Sequence, residues 1–140
     1  MGETMKKTVF ISGPIQGMEN MQDYRNVIGQ LCLSLGYNII DPWQREKNLY
    51  NRDEPCWWMK VPAHEFVKRD LEDIDRSSMV VAYLPRLSAG TCMEIFYAKQ
   101  KGKHVVVVSD IDCLSPWITV HADKIVKNFK ELEEELEKHV

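Results

Sequence analysis

The chain has 140 residues, with 18 basic and 21 acidic side chains and a formal net charge of -3 at pH 7. This length suits one domain with one core, so we expect a single domain over residues 1–140, and the lack of a basic excess argues against a nucleic acid partner. No apolar run approaches the roughly 18 residues of a membrane span, and no secretion signal is evident, so we expect a cytoplasmic protein without a membrane partner.

The beginning of the chain is typical of strand, loop, helix and strand. Residues 8–12 form a strand-like run that a glycine and a proline end, and a polar loop follows that ends near Asn20. Apolar residues at helical spacing predict a helix over 21–35, which Gly36 ends. A second strand is predicted at 37–41.

A long segment without periodicity, residues 43–60, comes next. It mixes charged residues with four aromatic ones, and this aromatic content argues against disorder. Two interpretations stay open: the rings cover one edge of the core, or they form a lid that stacks on a planar ligand. The aromatic residues are Trp43, Tyr50, Trp57 and Trp58.

A helix is predicted over 62–76, and it carries an acidic residue on its apolar face. Asp70 lies four residues after Phe66 and four before Ile74, so its side chain points inward. A buried carboxylate is costly unless it is paired. The pattern therefore predicts either an ion pair with a lysine or arginine, or a functional acid with a raised pKa.

The stretch 88–98 joins a buried strand, predicted at 79–84, to a helix predicted at 92–101. Thr91 and Glu94 have the spacing of a capping box, in which each side chain bonds the other's amide. Alternatively, a carboxylate in the first helical turn lies in positive potential, so Glu94 would stay ionised and could act as a nucleophile. The two interpretations are compatible, since a substrate could draw the carboxylate away from its amide.

The last part of the chain predicts a strand at 104–109, a short helix at 116–122 and an edge strand at 124–126. Asn128 and Glu131 give a second capping-box signal before a charged helix. The four cysteines lie far apart, with no Cys-x-x-Cys pair and no histidine at ligand spacing from any of them, so we expect reduced thiols.

Strands that alternate with helices predict an α/β fold with a parallel sheet of four to five strands and helices on both faces. The expected strand order is 2-1-3-4-5, as in flavodoxin-like (Rossmann-like) folds. Ligands bind such sheets where the strand order reverses. The crevice should therefore be lined by the loops at 13–17 and 85–90.

The order and spacing of these motifs resemble the nucleoside 2-deoxyribosyltransferase superfamily. The family signature Gly-x-x-x-Glu-(Leu/Ile)-x-x-Ala appears as Gly90-Thr-Cys-Met-Glu94-Ile-Phe-Tyr-Ala98. The similarity extends to the stretch 11–15, to Asp70 with the leucine after it, and to the strand at 104–109. It implies that Glu94 is the catalytic nucleophile and that Asp70 is an active-site acid.

Cleavage of an N-glycosidic bond passes through an oxocarbenium-like transition state, which a carboxylate can capture as a glycosyl ester. Glu94 is the candidate for this role, and Asp70 is the candidate that protonates the departing base. As in retaining glycosidases, the two carboxyl groups should lie about 5 Å apart. No metal or cofactor is expected.

The substrate-binding candidates include several loop residues and one strand residue. Ser88 and Ser115 resemble the phosphate-binding serines of the 2′-deoxynucleoside 5′-phosphate N-hydrolase branch, whereas the transferases hold an aspartate at the place of Ser88. Phe10 stands where these two groups have tyrosine, and the pyrimidine ribonucleotide N-glycosidases of the superfamily, such as CMP N-glycosidase, also have phenylalanine there. The remaining candidates are Gly13, Ile15, Gln16, Gly17 and Gly90.

The primary hypothesis is an enzyme that hydrolyses a nucleoside 5′-monophosphate to a free base and a ribose or deoxyribose 5-phosphate. The alternatives are a nucleoside 2′-deoxyribosyltransferase and a non-catalytic nucleotide-binding module. The resemblance also implies a homo-oligomer, at least a dimer, in which a neighbouring copy completes the site through the loop that holds Ser115.

Overall fold

In this computed structural model, residues 6–47, 56–59 and 62–140 are described. Their five strands form one parallel sheet in the order β2-β1-β3-β4-β5, which confirms the predicted α/β fold and strand order. Each prediction placed its strand within two residues of the observed bounds. The strands are β1 (Thr8–Ser12), β2 (Asn38–Ile40), β3 (Met79–Tyr83), β4 (His104–Val108) and β5 (Lys124–Val126).

Helices connect successive strands across the faces of this sheet. The α-helices of the described residues are α1 (Asp23–Ser34), α2 (Trp43–Glu46), α3 (Ala63–Asp75), α4 (Ala89–Gln100), α5 (Pro116–Thr119) and α6 (Phe129–Glu137), and a 3-10 helix spans Trp57–Met59. None of them, within the part of the chain described, is long and apolar enough to cross a membrane.

Both faces of the sheet are buried, because successive side chains of a strand point to opposite faces. In β1, Val9 and Ile11 pack in one cluster with Ile28 of α1, whereas Phe10 packs in the other. Helices α1 and α6 cover the first face, while α3, α4 and α5 contribute to the second. The valine-rich strands therefore lie between two apolar layers.

The strand order reverses between β1 and β3, since β1 pairs with both β2 and β3. The connections leave the sheet on opposite sides at this point, which opens a crevice beyond the carboxyl ends of these strands. The loops after β1 and β3 border the crevice, as the sequence predicted.

Helix α4 begins at Ala89, three residues before the predicted start at Cys92. Ser88 is its N-cap, and the Ser88 hydroxyl oxygen accepts the amide N–H of Thr91. The predicted capping box of Thr91 and Glu94 is therefore wrong. The second predicted cap is confirmed, since the Asn128 side chain accepts the amide N–H of Glu131.

The aromatic segment predicted at 43–60 is not entirely a loop. Residues 43–46 form α2, and the 3-10 helix follows at 57–59. Trp58 lines a cavity beside the crevice. Tyr50 lies outside the described residues, so the prediction of a lid is not tested there.

Candidate active site

Two neighbouring cavities lie at the crevice between the loops that follow β1 and β3. The first has a volume of about 290 Å³ and the second about 860 Å³. They share part of their lining, including Asp70 and Glu94. The first is lined by Gly13, Ile15, Gln16, Glu46, Phe66, Asp70, Arg86, Leu87, Ser88, Ala89, Gly90, Thr91 and Glu94.

Glu94 projects into both cavities from the second turn of α4. The Ser12 hydroxyl, at the end of β1, donates a hydrogen bond of 2.6 Å to Glu94 Oε1. Burial, followed by the negative charge of Asp70, raises the pKa of Glu94 to about 8, although Ser12 and Arg25 act in the opposite direction. Glu94 is thus mostly protonated at neutral pH in the absence of a ligand.

This protonation corrects the expectation that Glu94 stays ionised. Because α4 begins at Ala89, Glu94 is the sixth residue of the helix and not a member of its first turn. The favourable potential of a helix N-terminus fades beyond the first turn. Burial beside a second carboxylate therefore affects the pKa of Glu94 more than the helix N-terminus does.

Asp70 shows both outcomes that the sequence left open. Its carboxylate accepts a hydrogen bond of 3.0 Å from Arg45 Nη2, and Arg45 also bonds the buried Asp73 at 2.8 Å. Burial nevertheless raises the pKa of Asp70, while hydrogen bonds from Glu46 and Arg45 lower it. Asp70 is thus an ion-paired acid that also faces the cavity.

Glu46 is a third acid in the cavity, and sequence reasoning missed it. It ends α2 and is almost fully buried. Burial raises its pKa to about 10, assisted by its hydrogen bond to Asp70 and by the charges of Asp70 and Glu94. Glu46 is therefore protonated at neutral pH and donates to Asp70, while its Oε1 has no hydrogen-bond partner among the described residues.

Arg25 is the second residue that sequence reasoning missed. It is buried in α1, where its guanidinium donates to the carbonyl oxygens of Ile11 and Gly13 at 3.1 and 3.0 Å and pairs with Asp41 at 2.8 Å. These bonds fix the start of the loop after β1. A signal was present, since Arg25 lies three residues before Ile28 on the inward face of the predicted helix.

The predicted residues of the loop after β1 separate into two groups. Gly13, Ile15 and Gln16 line the first cavity, whereas Gly17 lines neither described cavity and adopts a left-handed backbone with φ of 82°. At Gly13 a Cβ atom would lie 2.3 Å from the Tyr24 hydroxyl, so only glycine fits there. Phe10 is fully buried in the core, and the structure does not bring it to the cavity lining.

The predicted phosphate-binding residues lie at two helix starts. Ser88 caps α4 and lines the first cavity with Gly90, whereas Ser115 caps α5 and lines only the second. Arg86, which sequence reasoning did not select, also lines the first cavity, and its guanidinium donates to the Gln16 carbonyl. A cation beside a helix N-terminus is suited to bind an anion.

Comparisons with known proteins identify the family and support the fold. The profile of the nucleoside 2-deoxyribosyltransferase family matches residues 9–133. A search of curated proteins found no match. Among solved structures, the 2-deoxyribosyltransferase of Bacillus psychrosaccharolyticus is 18% identical with a TM-score of 0.68, and the match covers 90% of each chain.

Two further solved structures share the fold. A conserved protein of Enterococcus faecalis V583 is 17% identical with a TM-score of 0.72, and the match covers 97% of this chain and 100% of that one. The CMP N-glycosidase BcmB of Clostridium botulinum is 18% identical with a TM-score of 0.57, and the match covers 93% of this chain and 98% of that one.

Proposed function

Since the chain belongs to the nucleoside 2-deoxyribosyltransferase family, it is an enzyme of the N-glycosidase or deoxyribosyltransferase kind, and we propose that it hydrolyses a nucleoside 5′-monophosphate. The products are the free base and the ribose or deoxyribose 5-phosphate. The observation that carries the proposal is the cavity in which three acids, Glu46, Asp70 and Glu94, lie beside Ser88 and Arg86.

In the first step, the ionised Glu94 carboxylate attacks the anomeric carbon and forms a glycosyl ester. The bond from this carbon to the base nitrogen breaks, and its electron pair stays on the base. A proton from the pair of Glu46 and Asp70 neutralises the leaving base. This pair is suited to the role, because Glu46 keeps its proton at neutral pH and its hydrogen bond leads to Asp70.

In the second step, water attacks the anomeric carbon and displaces the Glu94 carboxylate. The proton of this water goes to the pair of Glu46 and Asp70, which restores the starting state. The route is the double displacement of retaining glycosidases.

Substrate selection depends on the anion site around Ser88. The first amides of a helix have no carbonyl partner within it, and a phosphate can accept their N–H groups. In α4 these are the amides of Ala89 and Gly90, next to the Ser88 hydroxyl. Arg86 adds a positive charge to the same wall. An aspartate in place of Ser88 would repel a phosphate, so the serine favours nucleotides over nucleosides.

We infer that a second copy of the chain packs over the larger cavity. Its rim carries apolar side chains that solvent reaches, with Met93 71% exposed and Trp117 75% exposed. Ser115 lies on this cavity and not on the first, so Ser115 of a neighbouring copy can complete the phosphate site. Sedimentation should give a dimer or larger, and a dilute monomer with full activity would contradict this arrangement.

The test is to incubate the tag-free protein with each ribo- and deoxyribonucleoside 5′-monophosphate and to quantify free base by chromatography. We expect base release that Glu94→Gln abolishes. Glu133→Gln is the matched control, since Glu133 is exposed on α6, and it should retain activity. Absence of base release from every nucleotide, or full activity of Glu94→Gln, would refute the proposal.

The same assay separates the two alternatives. Base exchange between a deoxynucleoside and a different free base, faster than hydrolysis, would indicate a deoxyribosyltransferase. Stabilisation of the protein by nucleotides without any turnover would indicate a binding module. Either result would refute the proposal of a hydrolase in favour of that alternative.

A further inference from the structure

A cluster of metal-ligating side chains lies at the opposite end of the sheet from Glu94. His104 is the first residue of β4, whereas Glu135 and His139 lie four residues apart at the end of α6. One ligating atom from each of the three residues lies within 4.8 Å of the other two. The proposed reaction uses none of these residues.

Contacts within the cluster are close. His139 Nε2 lies 2.8 Å from Glu135 Oε2, and the His104 and His139 rings have centroids 4.2 Å apart. Ligands of a tetrahedral zinc ion lie about 3.3 Å from one another, given metal–ligand distances of about 2.0 Å. Small side-chain rotations would therefore bring the three atoms to ligating positions.

The ring of His104 supplies a second, independent observation. Its Nε2 is buried and has no hydrogen-bond partner within the described ranges. Its Nδ1 lies 3.8 Å from Asp123 Oδ2, so the carboxylate occupies the other side of the ring. Buried ring nitrogens are normally bonded, and a histidine that binds a metal through one nitrogen commonly faces a carboxylate with the other.

We propose that His104, Glu135 and His139 bind a divalent transition-metal cation of the zinc class. Two imidazoles and one carboxylate favour zinc over magnesium or calcium, which prefer all-oxygen sites. His104 would bind through Nε2, with Asp123 orienting its ring, and water would take the fourth position. Lys138 lies 3.5 Å from Glu135 Oε1, but its side chain is 67% exposed and can turn to solvent.

The bound cation would connect the start of β4 to the end of α6. The start of β4 and the end of α6 are about 30 residues apart in the sequence. The site therefore forms only in the folded protein, and the metal should stabilise the fold. The catalytic cavity lies beyond the opposite ends of the strands. The metal is therefore structural and takes no part in the proposed hydrolysis.

The test uses tag-free full-length protein, freed of metal by a chelator and titrated with zinc chloride by calorimetry. We expect one zinc per chain, and a rise in Tm of about 5 to 10 °C at zinc 100-fold above its Kd. Magnesium chloride should leave Tm unchanged. No zinc binding, or a stoichiometry unrelated to one per chain, would overturn the proposal.

Variants separate this site from adventitious ligands. His104→Gln and His139→Ala should each weaken zinc binding at least 10-fold, whereas the matched controls His64→Ala and His121→Ala should bind zinc as the parent does. The His139 side chain is 30% exposed, so its variant is expected to fold even if His104→Gln does not. Equal binding by His139→Ala and the parent would refute the assignment.

Cobalt gives a second readout, because a cobalt–thiolate bond produces a strong absorption band that imidazole and carboxylate ligands do not. The cobalt-loaded protein should show tetrahedral bands and no thiolate band. A thiolate band would assign the metal to an exposed cysteine, Cys56 or Cys113, and would overturn the proposal.

Discussion

Replacing Glu94 with glutamine should abolish turnover and also make the folded protein more resistant to unfolding at alkaline pH. Burial and the charge of Asp70 raise the pKa of Glu94 from 4.5 to about 8 in the folded chain. The folded state therefore holds this proton more tightly than the unfolded state. The stability that it confers is complete below about pH 4.5 and is lost as the pH rises to about 8. Glutamine stays uncharged at every pH, so the variant does not lose this stability as the pH rises.

The size of the effect follows from the pKa shift. One pKa unit corresponds to about 1.4 kcal/mol, so a shift from 4.5 to about 8 corresponds to about 5 kcal/mol. About 4 kcal/mol of this falls between pH 5 and pH 9. The difference in unfolding free energy between Glu94→Gln and the parent should thus grow by about 1.4 kcal/mol per pH unit from pH 5 to pH 8 and then level off.

Urea unfolding, followed by circular dichroism at each pH from 5 to 9, measures this difference. Glu46 and Asp70 titrate in both proteins, so their contributions largely cancel. Glu133→Gln, an exposed control on α6, should differ from the parent by the same small amount at every pH. A difference between Glu94→Gln and the parent that does not change with pH would refute the reasoning.

The remaining predictions concern the reaction. In a pH-rate study, kcat/KM should rise through about pH 8 as Glu94 loses its proton and fall near pH 10 as Glu46 loses its own. Ser12→Ala removes a hydrogen bond that lowers the pKa of Glu94, so the rising limb should move up by about 1 pH unit. Glu46→Gln should lower kcat by about 10²-fold or more in steady-state assays and remove the falling limb. Ser88→Ala should raise KM for nucleotides more than for nucleosides, and should cost about 1 kcal/mol in urea unfolding through loss of the α4 cap.

Short continuous apolar runs made the sheet predictable. The runs at 79–84 and 104–109 are apolar without alternation, which is typical of strands buried on both faces, and both are central strands. The chain order of strands and helices then fixes the switch point, and with it the two loops that border the crevice. Glu94 lies in the helix that follows one of these loops, and Asp70 points from α3 toward the same crevice. Both therefore line the first cavity.

Caps were less predictable, because two good candidates stand close together. Ser88 and Thr91 are both strong N-cap residues, and only tertiary packing decides which one starts the helix. The choice of Ser88 moved Glu94 from the first turn to the second. This shift changed the expected protonation state of Glu94, so a small error in a helix boundary became an error about chemistry.

Glu46 could not be found from pattern, since it belongs to a segment without periodicity. Its burial results from the position of α2 beside the crevice, which is a tertiary property. Asp73 likewise reads as an exposed helix residue but is buried against Arg45 and Arg76. Acids that are buried through ion pairs break the rule that apolar residues mark the inward face.

The charge balance of the cavity suggests why its acids keep their protons. Arg25 acts on Glu46 and Glu94, and Arg45 acts on Asp70, but each of these cations is also paired elsewhere: Arg25 with Asp41 and Arg45 with Asp73. Arg86 lies on the wall beside Ser88, where its guanidinium donates to the Gln16 carbonyl. Positive charge is therefore too scarce for all three carboxyl groups to ionise. An oxocarbenium-like sugar supplies a further positive charge at this place, and only in the transition state. A site short of positive charge at rest is complementary to that state and not to the substrate, which is the condition for rate acceleration.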